Sequence, residues 1–348
     1  MNYSIVVPVF NRPDEVDELL ESLCSQTLKD FEVVIVEDGS KKPCKDVCDK
    51  YADILDLHYY YKDNSGPGQS RNYGVERAKG EYVIILDSDV VLPEGYIEAT
   101  EKELTANGQR PIAAWGGPDA SHPSFTPVQK AISYSMTSFF TTGGIRGGKK
   151  KLDKFYPRSF NMGIRRDVYL QLGGFSKMRF GEDIDFSYRM VEAGYQPLLF
   201  PDAWVWHKRR TDFRKFFRQV YNSGIARINL EKRHPGTMKL VHLLPMVFTV
   251  GVIGLILVSA IGRALMHYVD HDQFYWMCFA PWLPILLYSL IILIDSTIQN
   301  KSLKVGLLSI PAAFTQLMGY GCGFIEAWWK RCVQGKDEFQ AFEKTFYQ

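Results

Sequence analysis

Apolar and polar positions follow two different rhythms along the chain. Up to Asp89, short apolar runs of strand length alternate with segments whose apolar residues recur at helical spacing. Ser4–Val9 reads as a strand. Asn11-Arg-Pro-Asp14 then opens a helix that tolerates Pro13 in its first turn, with Val16, Leu19, Leu20 and Leu23 on one face. Phe31–Val36 is a second strand, ending at Glu37-Asp38-Gly39-Ser40. A charged helix follows to about Tyr51, then the strand Leu57–Tyr61, the turn Gly66-Pro-Gly68 and a helix over Ser70–Ala78. Tyr82–Leu86 has no polar member and favours β-branched types, as a buried parallel strand does. Repeated β-α units of this kind predict an α/β fold with a mostly parallel sheet flanked by helices on both faces.

After Gly116 the rhythm loosens. Phe125–Phe140 sets Val128, Ile132, Met136, Phe139 and Phe140 at helical spacing, a stripe that serves either a core or an anionic membrane surface. The glycine-rich stretch Gly143–Gly148, flanked by Lys149-Lys-Lys151, reads as a mobile loop. From Met238 onward the chain is overwhelmingly apolar, and Leu240–Ile261, Phe274–Ile294 and Val305–Ile325 each have the length of a bilayer-spanning helix. The third carries Pro311, Gln316 and three glycines, so it either spans or is re-entrant. Three spans put the tail with Lys330 and Arg331 outside, against the positive-inside tendency, and a re-entrant segment keeps it cytosolic. Gly319-Tyr-Gly321-Cys-Gly323 predicts a close helix-packing face.

A length of 348 residues suits about two domains, and a mean hydropathy of −0.15 averages a mixed globular part with an apolar tail. We expect a globular α/β domain over residues 1–207, a basic interfacial helix or linker over 208–237, an all-α transmembrane region of two or three helices over 238–326 and a tail over 327–348. A net charge of +2 gives no case for nucleic acid. The six cysteines lack a paired metal spacing and read as reduced structural thiols. Met1-Asn-Tyr-Ser runs into Ile5-Val-Val-Pro8 without a signal-peptide pattern, so the globular part is expected in the cytosol of a multi-pass membrane protein, at the inner or plasma membrane in a bacterium.

The strand Tyr82–Leu86 ends in Asp87-Ser88-Asp89. Carboxyl ends of strands are where open α/β sheets bind ligands, and two hard oxygen donors there suit Mg²⁺ or Mn²⁺ beside phosphates. Alone, such a pair is more often a turn. The same sheet edge, however, gathers Pro8, Val9 and Asn11 with Glu37–Ser40. Arg71 opens a helix after a Gly-Pro-Gly turn, a setting that favours anions. Gly181-Glu182-Asp183-Ile-Asp185 places three acids at a helix start, where the dipole alone would favour them. Arg209-Arg-Thr-Asp-Phe-Arg-Lys-Phe-Phe-Arg218 is basic and aromatic, and Arg214, Phe217, Arg218 and Tyr221 fit an amphipathic interfacial helix.

Taken together, Val6-Val-Pro8-Val-Phe-Asn11, Val36-Glu-Asp38-Gly-Ser40, Gly66-Pro-Gly-Gln-Ser-Arg71-Asn72, Asp87-Ser-Asp89 and Phe180-Gly-Glu182-Asp183 resemble, in order and spacing, the family 2 glycosyltransferases. These are inverting nucleotide-sugar enzymes of GT-A fold, and the resemblance covers about Ser4 to Arg227. It implies that Asp38 accepts the ring N–H of a uracil-like base, with Pro8, Val9 and Asn11 walling that pocket and Arg71, Asp87 and Ser88 near the nucleotide. It implies Asp89 as direct ligand of Mn²⁺ or Mg²⁺, Asp87 on ribose or metal, and Asp183 as base with Glu182 orienting the acceptor or sharing a proton. Trp115, Gly116 and Asn161 fall where the family meets donor sugar and acceptor. His207, closing Trp204-Val-Trp206-His207, contacts metal or diphosphate in some relatives and is structural in others. Processive synthases of the family carry Gln-x-x-Arg-Trp; here Arg218-Gln-Val-Tyr-Asn-Ser-Gly-Ile-Ala-Arg227 has no such Trp, which argues against polymer extrusion.

The expectation is therefore a membrane-anchored, metal-dependent inverting glycosyltransferase that moves a sugar, from a UDP-sugar by the resemblance, to a hydroxyl of a lipid or lipid-linked saccharide. The alternatives are a polyprenyl-phosphate glycosyltransferase, a nucleotidyltransferase and a non-catalytic nucleotide-sugar-binding membrane scaffold.

Overall fold

The computed structural model describes residues 2–106, 111–122, 124–143, 155–269 and 275–343. The chain divides into two compact units: Met1–Pro123 with Lys150–Lys208 and Phe342–Gln348, and Ser124–Lys149 with Arg209–Ala341. The first contains β1 (Tyr3–Val9), α1 (Pro13–Cys24), β2 (Phe31–Asp38), α2 (Lys45–Tyr51), β3 (Asp56–Lys62), α3 (Pro67–Arg77), β4 (Tyr82–Leu86), β5 (Val90–Val91), α4 (Tyr96–Ala106), β6 (Ala114–Gly116) and β7 (Asp119–Ala120). Helices α5 (Pro127–Thr137) and α6 (Phe139–Thr142) belong to the second unit. The chain then returns to the first with β8 (Asn161–Arg165), α7 (Arg166–Gln171), α8 (Glu182–Glu192), β9 (Leu198–Leu199) and β10 (Val205–His207). Residues 124–149 thus group with the C-terminal helices, and Lys208 is the last residue before the chain passes to them for good.

The main sheet has the order β3-β2-β1-β4-β8-β6-β9, and β3, β2, β1 and β4 are parallel. β8 runs antiparallel to both β4 and β6, and β5, β10 and β7 form a second small sheet. All seven residues of β1 and all eight of β2 are buried, as strands covered on both faces require. One face packs Ile5, Val7, Val33 and Ile35 against Val16, Leu19, Leu20 and Leu23 of α1. The other packs Val6, Val34 and Val36 against Val75 of α3, Val168 of α7 and Phe186 of α8. The chain leaves β1 for β2 on one side and later returns to β4 on the other, so β1 and β4 flank the topological switch point.

The second unit adds α9 (Phe213–Arg233), α10 (Leu244–Val269), α11 (Tyr275–Phe279), α12 (Leu283–Asn300) and α13 (Leu303–Trp328). Three stretches, Leu240–His267, Trp276–Asn300 and Leu303–Val333, are helical, long and apolar enough to cross a membrane. α13 passes Pro311 and runs unbroken to Trp328, so the third apolar segment contains no hairpin. The stripe over Phe125–Phe140 is split by Ser138: Ile132 and Met136 pack on Phe216 and Val220, while Phe139 and Phe140 are exposed. Of the glycine-rich stretch expected to form a mobile loop, everything after Gly143 lies outside the described residues.

The glycine face predicted on α13 serves two neighbours. A Cβ on Gly323 would lie 2.0 Å from the Tyr221 carbonyl oxygen of α9, and one on Gly319 would meet Val220. One on Gly321 would meet Thr249 of α10 at 2.1 Å, and Gly224 of α9 is pressed in turn against the Tyr320 carbonyl. Small residues let these backbones approach. Gly323→Val should therefore force α9 off α13 and cost about 2–3 kcal/mol, whereas Gly251→Val, with no atom within 4 Å of its Cβ, should cost little. Equal unfolding midpoints for the two detergent-solubilised variants would contradict this packing.

Candidate active site

The loops at the carboxyl ends of β1, β2 and β4 are tied to one another by side chains. Asn11 adopts φ +56°, a left-handed conformation that Asn tolerates better than most residues. Its N–H donates to Ser40 Oγ at 2.7 Å, and its Oδ1 accepts from the N–H groups of Lys41 and Lys42 at 2.8 and 3.1 Å. Ser40 in turn donates to the buried Glu37. Pro8 and Val9 are the last buried residues of β1, and Phe10 beyond them is half exposed.

Asp38 closes β2. Its Oδ1 accepts from the Ser65 N–H at 2.9 Å and from Lys62, and its Oδ2 accepts from the Gly66 N–H at 2.8 Å. It thereby pins the turn that opens α3. Lys62 stands in register beside it on β3, a cross-strand pair.

Arg71 is the centre of the site. Its guanidinium is buried, with Nη2 2.7 Å from Asp87 Oδ1 and Nη1 2.9 Å from Glu182 Oε1. α3 carries it beneath the switch point, and the Phe175 ring lies 5.3 Å from its charged carbon. Burial opposes its charge, yet the two carboxylates outweigh that and raise its pKa further. Glu182 is pushed up by its own burial and by neighbouring Asp183, with Arg71 pulling the other way. Asp183 Oδ2 lies 3.3 Å from Arg158, and its Oδ1 accepts from the Ile184 N–H at 2.9 Å. The third acid of that helix start, Asp185, is buried and bonds Arg189 at 3.1 Å; Arg189 also donates to the carbonyls of Leu172 and Gly174. Asn72 holds the same loop by accepting from the Phe175 N–H at 2.8 Å and from the Tyr169 hydroxyl at 2.6 Å.

Asp87, Asp89 and His207 present one ligand atom each, all within 4.8 Å of one another. His207 Nε2 lies 3.3 Å from Asp89 Oδ1, and its Nδ1 lies 3.7 Å from Asp119 Oδ2. β10 brings His207 there by pairing with β5, which directly follows Asp89. The His207 ring stacks on Phe160 at 4.9 Å, which fixes its plane. Arg12 bonds the other oxygen of Asp89, and Ser88 between the two acids is buried. Two carboxylates and an imidazole, with a further carboxylate near its other nitrogen, form a donor set that fits Mn²⁺ or Mg²⁺.

Burial disfavours the Asp89 carboxylate, but its hydrogen bond to His207 and the charges of His207 and Arg12 outweigh it, holding the pKa well below 3.8. A carboxylate whose folded pKa is depressed stabilises the fold above its free value and loses that contribution as pH falls towards the folded one. Asp89→Asn should thus flatten the acid limb of the stability profile below about pH 4. An unchanged acid limb would refute the pairing.

Two expected pocket residues have fully buried side chains. Trp115 is fully buried, stacked on Phe200 at 5.3 Å, because β6 points it into the core beside Tyr82. Asn161 is fully buried, accepting from the Tyr96 hydroxyl at 2.6 Å and donating to the Ala203 carbonyl at 2.8 Å. Gly116 is also buried, where a Cβ would crowd the Phe155 ring at 3.1 Å. The sequence reading missed Arg12, Lys62, Asp119 and Arg158. Arg12 adjoins Asn11 on a strand-end loop and could have been proposed from that; Arg158 carries no local signal.

Residues 4–173 match the family model described as Glycosyl transferase family 2. An uncharacterized glycosyltransferase of Rickettsia felis is 35% identical over 41% of this chain and 22% of its own length. A pre-mycofactocin glycosyltransferase of Mycobacterium tuberculosis is 26% identical over 75% of this chain and 53% of its own length. The chain thus spans about half or less of the length of these relatives. Among solved structures, a mannosyltransferase from Pyrobaculum calidifontis, in complex with GDP-Man and Mn²⁺, superposes with a TM-score of 0.56 at 14% identity, covering 95% of this chain and 88% of that one. The N-terminal segment is a family 2 glycosyltransferase domain, and its fold is of GT-A type.

Proposed function

We propose that the protein is a membrane-anchored, metal-dependent inverting glycosyltransferase that uses a nucleotide-sugar donor. The observation that carries this reading is the placement of Arg71. One buried guanidinium joins Asp87 of the candidate metal cluster to Glu182, next to the candidate base. The Pyrobaculum enzyme's GDP-Man and the family resemblance support a nucleotide sugar, and we favour a UDP-sugar on the resemblance.

In this reading Asp87, Asp89 and His207 hold Mn²⁺ or Mg²⁺. The bound cation would offset the charge that develops on the departing nucleoside diphosphate. Asp38, Pro8, Val9 and Asn11 form the base pocket, with Asp38 turning to the ligand the lone pair of Oδ2 that Gly66 leaves, since Ser65 and Lys62 occupy Oδ1. Asp183 takes the proton from the acceptor hydroxyl on the face opposite the leaving group. Arg158 orients that carboxylate, and Glu182 stays locked on Arg71. The exposed Arg214, Phe217 and Arg218 on one side of α9, with Tyr221 stacked on Phe217, support an interfacial helix meeting anionic headgroups. We infer a lipid or lipid-linked saccharide as acceptor from that anchoring, with the catalytic unit on the cytosolic side.

The full chain in detergent, given Mn²⁺, extracted membrane lipids and a panel of nucleotide sugars, should form one new glycolipid detectable by mass. It should release a nucleoside diphosphate, and EDTA should stop the reaction until Mn²⁺ is restored. Pyrophosphate release would make the protein a nucleotidyltransferase. UDP binding without transfer across the whole panel would make it a scaffold.

A further inference from the structure

A second cluster of ligating side chains lies at the opposite, amino-terminal edge of the same sheet. Glu32 is the second residue of β2, Asp56 begins β3 in register with it, and His58 follows two residues on, on the same side of β3. Their ligand atoms all lie within 4.8 Å of one another. His58 Nε2 is 3.3 Å from Glu32 Oε2 and 3.2 Å from Asp56 Oδ1.

Glu32 decides what this cluster can do. It is completely buried, and its Oε1 accepts from Ser4 Oγ at 2.6 Å and from the Lys79 N–H. Its Oε2 is also buried but accepts no hydrogen bond, and it faces His58. A buried carboxylate oxygen without a donor is costly, and evolution normally supplies a partner. The nearest candidate, His58 Nε2, is shared with a second carboxylate and with Lys79 Nζ at 3.3 Å, a contact that a metal bound through this nitrogen would replace. The His58 and Asp56 side chains are 30% and 45% exposed, so the cluster opens to water on one side.

We propose that Glu32, Asp56 and His58 form a second divalent-cation site, selective for a transition metal with mixed imidazole and carboxylate ligands. Two oxygens and one imidazole nitrogen provide three protein ligands, and solvent on the open side completes the shell. The contacts of Ser4 and Lys79 to Glu32 Oε1 fix the orientation of Oε2, as supporting hydrogen bonds do around metal ligands. A cation there clips the start of β2 to the start of β3 and stabilises the sheet in proportion to its occupancy. This site is independent of the Asp87–Asp89–His207 cluster and of the proposed reaction.

Co²⁺ is the probe, titrated by calorimetry and visible absorption into the full chain in detergent. An Asp87→Asn/Asp89→Asn variant should retain one equivalent of Co²⁺, without the intense near-ultraviolet band of a thiolate ligand. Adding His58→Gln should remove that equivalent or weaken it at least about tenfold. In the otherwise unaltered protein, His58→Gln should lower the stoichiometry from two to one, a comparison that holds even if the double variant misfolds. Co²⁺ should also raise the unfolding midpoint of the Asp87→Asn/Asp89→Asn variant through His58. A stoichiometry unchanged by His58→Gln, or cobalt bound only through thiolate, overturns the site.

Discussion

Asp183→Asn should reduce transfer to a hydroxyl acceptor by about 10²- to 10⁴-fold while leaving the fold and donor binding intact. The substitution keeps the shape of the side chain and its contact with the Ile184 N–H, and removes only the ability to take a proton. Arg158 loses an ion partner at 3.3 Å, but both groups are partly solvated, so the structural cost is small. The decisive comparison is between acceptors. A polyprenyl phosphate is already ionised and needs no base, so its glycosylation should survive Asp183→Asn nearly unchanged. Loss with hydroxyl acceptors alone supports the base assignment. Full activity on a hydroxyl acceptor would sink it.

The largest stability effect is expected at Arg71. Arg71→Ala leaves Asp87 and Glu182 facing a buried void without their shared cation, and breaking a buried pair in this way costs about 3–5 kcal/mol. Arg71→Lys should recover only part of that, because an ammonium on a flexible stem cannot reproduce the two-armed geometry of a guanidinium. Denaturant midpoints of the three proteins should fall in the order Arg, Lys, Ala, and donor binding should fall with them. A Lys variant as stable as the parent would show that charge alone, rather than the bridge, matters at this position.

Much of this site was legible in the sequence because its parts lie at strand ends, and strands are set by local pattern. The expected strands Ser4–Val9, Phe31–Val36, Leu57–Tyr61 and Tyr82–Leu86 each appear within two residues at either end. Parallel topology then carries Asn11, Asp38 and Asp87–Asp89 to one edge without further information. The three apolar segments were equally plain, since bilayer-length runs need no tertiary context. Other features were not legible. An acid at a helix start looks the same whether it is a base or a structural tie, and Asp183 and Asp185 differ only in what the fold puts beside them: Arg158 for one, Arg189 and a loop for the other. The burial of Trp115 and Asn161 was illegible for the same reason, because a strand's two faces alternate and only the packed neighbours show which one is core.

By itself, then, the sequence determined the order of elements, the sheet edge to which Asn11, Asp38 and Asp87–Asp89 come, and the apolar helices. These follow from periodicity, turn residues and the handedness of β-α connections, all of which act over a few residues. Only the tertiary structure decided that Arg71 bridges Asp87 to Glu182, that His207 and Arg12 share Asp89, and that residues 124–149 group with the C-terminal helices. The ion pairs among them join residues as much as 118 positions apart, the span from Asp89 to His207. They are fixed by burial and charge pairing, which no local window contains.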